Sequence, residues 1–409
     1  MTVRPQGSVR PKLSVAVMTH PARLAAAQRL REQLSAADTT GATVTIACDP
    51  APHEGKATLR SARLAWRQAG ADVTHHLVVQ DDVLVHPSFL AHVADSVARH
   101  PDHALSFFTE WASATAAAAR IGALRGDSWV PALDHYVPTQ ALALPVAIAR
   151  QVDAFFAPLP LTVPDDEAIH DLLARNGVPA LVSVRNLVQH RDTPSIIGNS
   201  YLGLRPGVCY RSDLAESGVP DGPILDVPAL LPYFSWWDRA AEFRLWNVPG
   251  QMEWHSRPIT ELLDAFGRNP AGPGATASAA IARLAAARPD DVPVPDTALS
   301  DLWAAAFILG LVAMTGTDGS IADALARPEA QVSLHTLAPG ALRRLADAEE
   351  LARWADPLAD FVIDAVRAGA AVDLPKEFPE HYRSVHRSCT RCDVTAQFGQ
   401  LALEALGAV

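Results

Sequence analysis

The chain has 409 residues, 49% of them hydrophobic and 19% charged, with a net charge of −11 at pH 7. At about 150 residues per domain, that length predicts two or three domains rather than one core. The acidic balance argues against a nucleic-acid partner, which calls for a basic face to neutralise phosphates.

The opening stretch MTVRPQGSVRPKLSVAVMTH sets positive charges before a short apolar run, but Thr19, His20 and Pro21 break that run. With no small-residue cleavage site it reads as an arm and a first strand, not a secretory signal. Four cysteines in such a chain give no disulfide framework and fit a reducing cytoplasm.

The first two thirds alternate strand-like and helix-like stretches, the pattern of an α/β domain with a largely parallel sheet. Residues 13–18 (LSVAVM) form a β-branched strand and residues 22–34 a helix. Residues 42–47 (ATVTIA) form a second strand ending at Cys48, Asp49 and Pro50, and residues 58–69 a second helix. Residues 76–79 (HLVV) form a third strand ending at Gln80, Asp81 and Asp82. In open parallel sheets the ligand crevice lies outside the carboxyl ends of the strands, so these three polar strand ends can converge on one site.

A helix over 87–99, a strand over 104–108 and an Ala-rich stretch over 112–124, helix or loop, come next, then a strand over 138–145. Residues 165–176 carry Ile169, Leu172 and Leu173 at helical spacing, with Gly177 as the stop, and residues 182–190 (VSVRNLVQH) close the section. From about residue 202 to 267 aromatic density rises, with Trp236, Trp237, Trp246 and Trp254, and residues 269–279 (NPAGPGATASA) read as a linker. Helical composition returns over 280–286, 300–314, 340–354 and 358–368. Within it, residues 302–314 (LWAAAFILGLVAM) fall short of the roughly 20 residues a spanning helix needs, and read as a buried helix rather than a transmembrane segment.

Two adjacent carboxylates at a strand end repel unless a cation or hydrogen-bond donors offset them. A divalent Mg²⁺ or Mn²⁺ does so, and it prefers carboxylate and phosphate oxygens. The competing reading is a solvated turn before an apolar stretch. Acids at residues 165–167 suit a helix N-terminus whatever their function.

Three segments in order resemble a GT-A glycosyltransferase: SVAVMTHPAR, then SARLAWRQAGADVTHHLVVQDDVLVHPSF, then VPDDEAIHDLLARNGVPALVSVRNLVQH. The resemblance covers residues 10–205 and implies a Rossmann-like nucleotide-sugar-binding domain. An aromatic-rich extension or connector over 206–268 and a mostly helical accessory domain over 280–409 follow it. It implies a DxD-type metal motif at Gln80-Asp81-Asp82, with Gln80 where the family has an acid, Asp82 as the main ligand of Mn²⁺ or Mg²⁺ and Asp81 toward the ribose or sugar. Ala62 and Arg63 match an upstream Ala-Arg pair, with Arg63 offsetting diphosphate charge. Asp166 matches the general base of inverting members, with Asp165 and Glu167 as competitors, and His190 a histidine that completes the metal shell. Thr19, His20 and Asp49 fall where base and ribose are held, and Trp111, Trp129 and Tyr136 where an acceptor can be met.

The implied activity is sugar transfer from a nucleoside-diphosphate sugar, a UDP-sugar ahead of others, to an unidentified acceptor. A nucleotidyltransferase and a catalytically silent nucleotide-sugar-binding protein are the alternatives. The helical region is left between acceptor recognition, homo-oligomer formation and support. His381, His386, Cys389 and Cys392 have ligand types that suit zinc, but no second CxxC pair accompanies them.

Overall fold

The computed structural model describes residues 11–55, 57–191, 193, 195, 196, 198, 203–212, 222–228, 230–235, 238–245, 255–259 and 273–372. His381, His386, Cys389, Cys392 and the tryptophans at 236, 237, 246 and 254 lie outside these residues. The chain divides into two units: Met1–Thr109, Pro131–Tyr201 and Tyr210–Gly222 in the first, and Glu110–Val130, Leu202–Cys209 and Pro223–Val409 in the second.

The first unit is built on β1 (Leu13–Thr19), β2 (Thr43–Cys48), β3 (His75–Gln80), β5 (Ala104–Ser106), β7 (Ala141–Pro145) and β8 (Ala180–Ser183). A short edge strand, β6 (Trp129–Pro131), lies where the chain re-enters the unit, and the sheet order is β2-β1-β3-β7-β5-β8-β6. Every residue of β1 is buried, as a strand covered on both faces demands. Pairing of β1 with β2 and β3, and of β5 with β8, is parallel.

The expectation of a largely parallel sheet needs correction at its centre, because β7 runs antiparallel to both β3 and β5 and makes the sheet mixed. A buried apolar run such as ALALP looks the same in either direction, so composition carries no sign of strand polarity. From Pro145 the chain turns without a loop into α5 (Val146–Phe156), a helix that the alternating pattern does not announce.

The helices of this unit cover the sheet through apolar stripes. α1 (Leu24–Ala36) buries Ala27, Leu30 and Leu34, and α2 (Thr58–Arg67) buries Leu59, Ala62 and Trp66, both at helical spacing. α3 (Phe89–Arg99) buries Phe89, Val93 and Val97 in the same way. α6 (Asp165–Asn176) buries Ile169, Leu172 and Leu173 and stops at Gly177, whose φ of 62° lies in the left-handed region where Gly carries no Cβ penalty. Leu59, Trp66, Val78, Leu142, Val152, Phe156 and Ile169 share one core. Within the same unit His76 is fully buried, bonded to Ser14 Oγ at 2.8 Å and to the Ala65 carbonyl at 3.0 Å. Burial lowers its pKa to about 4, so it is a neutral packing residue.

A two-stranded ribbon completes the unit: β4 (Val83–Val85) pairs antiparallel with β9 (Val188–His190), setting Val83 opposite His190. The stretch expected as one strand over 182–190 is therefore two, and the second belongs to a different sheet.

The second unit is mostly helical. α4 (Ala114–Arg125) is a helix buried through its first eleven residues, Arg120 among them, which resolves the helix-or-loop alternative. It falls in the second unit although the resemblance spans residues 10–205 as one domain. Three antiparallel strands, Leu230–Ser235, Ala240–Leu245 and His255–Pro258, lie within the stretch that the sequence suggested as an aromatic-rich extension or connector. The supposed linker is helical from Pro273 in α7 (Pro273–Ala286), since Pro is accommodated in a first helical turn.

α8 (Asp296–Met314) is long and apolar enough to cross a membrane, but 72% of its apolar window is buried within the protein, as in a core helix. It crosses the final described helix, Ala355–Ala370, through two glycines. A Cβ at Gly310 would collide with the Val366 carbonyl oxygen, and one at Gly369 with that of Phe307.

Candidate functional site

The carboxyl ends of β1, β2 and β3 meet at one polar group in the first unit. Thr19 ends β1, and its carbonyl accepts from the Asp49 amide at 2.9 Å, joining the ends of β1 and β2. Its hydroxyl donates to Asp81 Oδ2, joining β1 to the turn after β3. His20 follows and caps the 3-10 turn Pro21–Arg23, its Nδ1 accepting from the Ala22 amide at 3.1 Å.

Arg23 closes the acidic pair. Its Nη1 lies 2.7 Å from Asp82 Oδ2 and 3.4 Å from Asp81 Oδ1. On the other side His190 Nε2 stands 3.5 Å from Asp82 Oδ2, brought there by the β4–β9 register and by the Arg191 amide, which donates to the Asp82 carbonyl at 2.7 Å. Burial pushes the Asp81 carboxyl up, and the Asp82 charge adds to that push. Burial acts the same way on Asp82, but the hydrogen bond and charge of His190, together with Arg23, outweigh it and hold Asp82 below the usual carboxylate value. The two neighbours thus differ, with Asp82 the readier anion.

Two buried atoms of this group have no hydrogen-bond partner among the described residues: Asp82 Oδ1 and His190 Nδ1. An acceptor-only carboxylate oxygen left bare is a position where a cation gains a ligand without displacing a hydrogen bond. Among the described residues no three His, Cys, Asp or Glu side chains gather as a metal cage. Asp82 and His190 therefore offer a two-residue site, which suits Mg²⁺ or Mn²⁺ only when phosphate oxygens and water complete the shell. Arg23 meanwhile supplies the positive charge.

Asp49 is held by Arg60, whose Nε reaches Oδ1 at 2.6 Å and whose Nη2 reaches Oδ2 at 2.8 Å. The Arg60 hydrogen bond keeps the Asp49 carboxyl below its ordinary value. The structure does not bring Arg63 to the strand-end group. One turn further along α2, its Nε bonds Asp153 Oδ1 on α5 at 2.8 Å, because that face of α2 packs on α5. Ala62 is buried in the core.

The acids at the start of α6 divide by environment. Asp165 is buried and accepts hydroxyl hydrogen bonds from Thr58 and Thr139, which only partly offset the rise that burial imposes on its pKa. Asp166 is partly exposed; its Oδ1 accepts from the Glu167 amide at 2.9 Å, and its backbone carbonyl from the Val137 amide at 3.3 Å. Burial and the adjacent Asp165 charge push the Asp166 carboxyl up to about 7, where a base must be to exchange protons at neutral pH. Glu167 is exposed. Gln80, at the end of β3, donates from Nε2 to Thr139 Oγ1 at 3.1 Å, linking the acidic turn to α6.

Trp111, expected as a candidate for sugar stacking, is buried in the second unit with its indole N–H bonded to the Leu204 carbonyl at 3.1 Å, and Trp129 is buried as well. Tyr136 is half-buried. A cavity of about 20 Å³ in the second unit, lined by Trp111, Arg120, Tyr233 and Leu309 among others, is room for one water.

Arg23, Arg60 and Thr139 carry much of this geometry and stand out in no motif. The signals available were an arginine four residues beyond Thr19 and one in the first turn of the helix after Asp49. No protein-family model matches the chain, and no curated protein matches it.

Proposed function

We propose that the first unit is a glycosyltransferase of GT-A type that moves a sugar from a nucleoside-diphosphate sugar to an acceptor hydroxyl with inversion. The observation that carries this reading is the convergence of Thr19, Asp49, Asp81, Asp82 and His190 at the ends of three neighbouring strands and their ribbon, with Asp166 poised near neutrality on the helix tied to the same turn. An open α/β sheet binds nucleotides at such strand ends.

In this reading Asp49 and Thr19 face the nucleoside and Arg23 faces the diphosphate, whose charge it is placed to offset. Asp82 and His190 would hold Mn²⁺ or Mg²⁺, which when bound neutralises the departing diphosphate. Asp166 in its carboxylate form takes the acceptor hydroxyl proton as the new glycosidic bond forms at the anomeric carbon and the bond to the diphosphate oxygen breaks. The leaving group carries away the electron pair and the proton rests on Asp166.

The bonding of Arg23 to both acids favours one second reading, a nucleotide-sugar-binding protein without turnover, since the acids already share a cation. Incubation with UDP-sugars and GDP-sugars in the presence of Mn²⁺, followed by measurement of released nucleoside diphosphate, separates the two. Release that disappears in Asp82→Ala and Asp166→Asn supports the transferase. Donor binding without release supports the silent protein, and absence of donor binding removes both.

A further inference from the structure

Gln80 stands where the resemblance puts an acid, and its hydrogen bonds give that departure a physical reason. A Thr hydroxyl has one proton to donate and lone pairs to accept with. The Asp165 carboxyl takes the hydroxyls of Thr139 and Thr58, hydrogen bonds that act against the rise that burial imposes on its pKa. The Thr139 proton is therefore committed to Asp165, and the Thr139 oxygen is left to accept the Gln80 carboxamide N–H at 3.1 Å. Each hydrogen bond in the row Gln80, Thr139, Asp165 has one direction, and the row starts with a donor.

An acid at position 80 cannot start it. A carboxylate would compete with Asp165 for the single Thr139 proton, leaving one buried oxygen unsatisfied. It would also add a negative charge beside Asp81 and Asp82 and, across Thr139, toward Asp165, all of which are buried or nearly so. The backbone supports the same linkage: the Gln80 amide donates to the Gln140 carbonyl at 3.0 Å, and the Val137 amide to the Asp166 carbonyl at 3.3 Å. The segment 137–140 thus grips the end of β3 on one side and the first turn of α6 on the other.

We infer that Gln80 is a positioning residue that acts through Thr139 and the buried Asp165 to fix the first turn of α6, and so sets Asp166 in register with the Asp81-Asp82 turn. The inference rests on the reading of Asp166 as the base. Asp165 is the anchor and Asp166 the working acid, and the Gln is required because the anchor is itself an acid.

The test uses the full chain with Gln80→Glu, Thr139→Val and Thr139→Ser. The first readout is the ionisation of Asp166 followed by carbon-13 NMR of labelled aspartate carboxyls, assigned with Asp166→Asn. The second is donor turnover against pH, beside the thermal shift given by the nucleoside diphosphate. Loss of the row moves the Asp166 midpoint by about half a pH unit or more and lowers kcat by about 100-fold, the cost of misplacing a reacting group by about an ångström. In Thr139→Val, which adds no charge, nucleotide binding stays within about twofold, and Thr139→Ser, which keeps the hydroxyl, restores both readouts. A wild-type midpoint in both Gln80→Glu and Thr139→Val overturns the inference, whether or not a donor is ever found. Should Gln80→Glu not fold, the Thr139→Val and Thr139→Ser pair decides alone. Wild-type protein that no nucleoside diphosphate stabilises defeats the donor reading and leaves the NMR result to judge the row.

Discussion

Replacing Asp166 with asparagine should make the protein more stable and inactive at once. The carboxyl is held protonated up to about 7 by burial and by Asp165, against an ordinary value of 3.8. That difference corresponds to about 4 kcal/mol by which the fold disfavours the charge. Asp166 is partly exposed, and water screens about half of it by the same reasoning that weakens surface pairs, leaving about 2 kcal/mol. The sign follows from a raised folded value: the contribution is complete below the unfolded value near 4 and is lost as pH rises through about 7. The asparagine side chain never ionises and escapes that loss. Wild type and Asp166→Asn should therefore melt together near pH 4, part progressively between pH 4 and 7 and stay apart above it, the variant then higher by about 4–8 °C for a body of this size. Melting followed by circular dichroism from pH 4 to 8 measures this, with donor turnover assayed on the same samples. A variant that melts with or below the wild type at pH 8 refutes the reasoning, because Asp166 would then be an ordinary ionised helix-start acid.

Arg23→Gln should lower the melting temperature in the absence of metal, since it leaves two largely buried carboxylates without their cation. Added Mn²⁺ should restore more stability to this variant than to the wild type, and electron paramagnetic resonance should show about tenfold tighter Mn²⁺ binding; equal binding by both proteins would show that Arg23 does not compete. Arg60→Ala removes the partner that holds Asp49 low. A depressed acid stabilises above its unfolded value and loses that contribution as pH falls through its lowered folded value, so the variant's deficit should be present at pH 7 and shrink in acid titrations below the ordinary carboxylate value of 3.8. Gly310→Ala forces a Cβ onto the Val366 carbonyl and should cost about 3 kcal/mol or more in denaturant unfolding, whereas Gly319→Ala, which meets nothing within 4 Å, should cost little.

What the sequence disclosed follows the physics of burial. β1 and β3 were legible because strands in the middle of a covered sheet read as apolar runs, β2 at the sheet edge because β-branched Thr43, Val44, Thr45 and Ile46 run together, and α2 and α6 because their buried residues recur at helical spacing. The direction of β7 was hidden, since ALALP is equally apolar read either way, and α5 was hidden because it follows β7's last residue with no turn between them. The first of the strands at 230–245 is masked by Pro232, whereas the second carries a strand signal that was passed over, with Glu242 and Arg244 alternating with buried Ala241 and Phe243. Within the site, the acids were visible as a conspicuous pair, and His190 followed from its place after the acidic helix. Arg23 and Arg60 were not visible, because an arginine on a helix or turn is usually solvated, and only the closure of the strand ends turns these two inward. Arg63 illustrates the converse: it had the expected spacing and meets Asp153 instead.

The central claim is that the ends of β1, β2 and β3 bind a nucleoside diphosphate with a divalent cation at Asp82. Thermal melting of wild type and Asp82→Asn against UDP, GDP, dTDP and CDP, each with and without Mn²⁺, tests it directly. A ligand at about 100 times its dissociation constant adds about 2.7 kcal/mol to the folded state. At least one nucleoside diphosphate should raise the wild-type midpoint by about 5–10 °C with Mn²⁺, by less without it, and hardly at all in Asp82→Asn. No shift with any of the four would contradict the account.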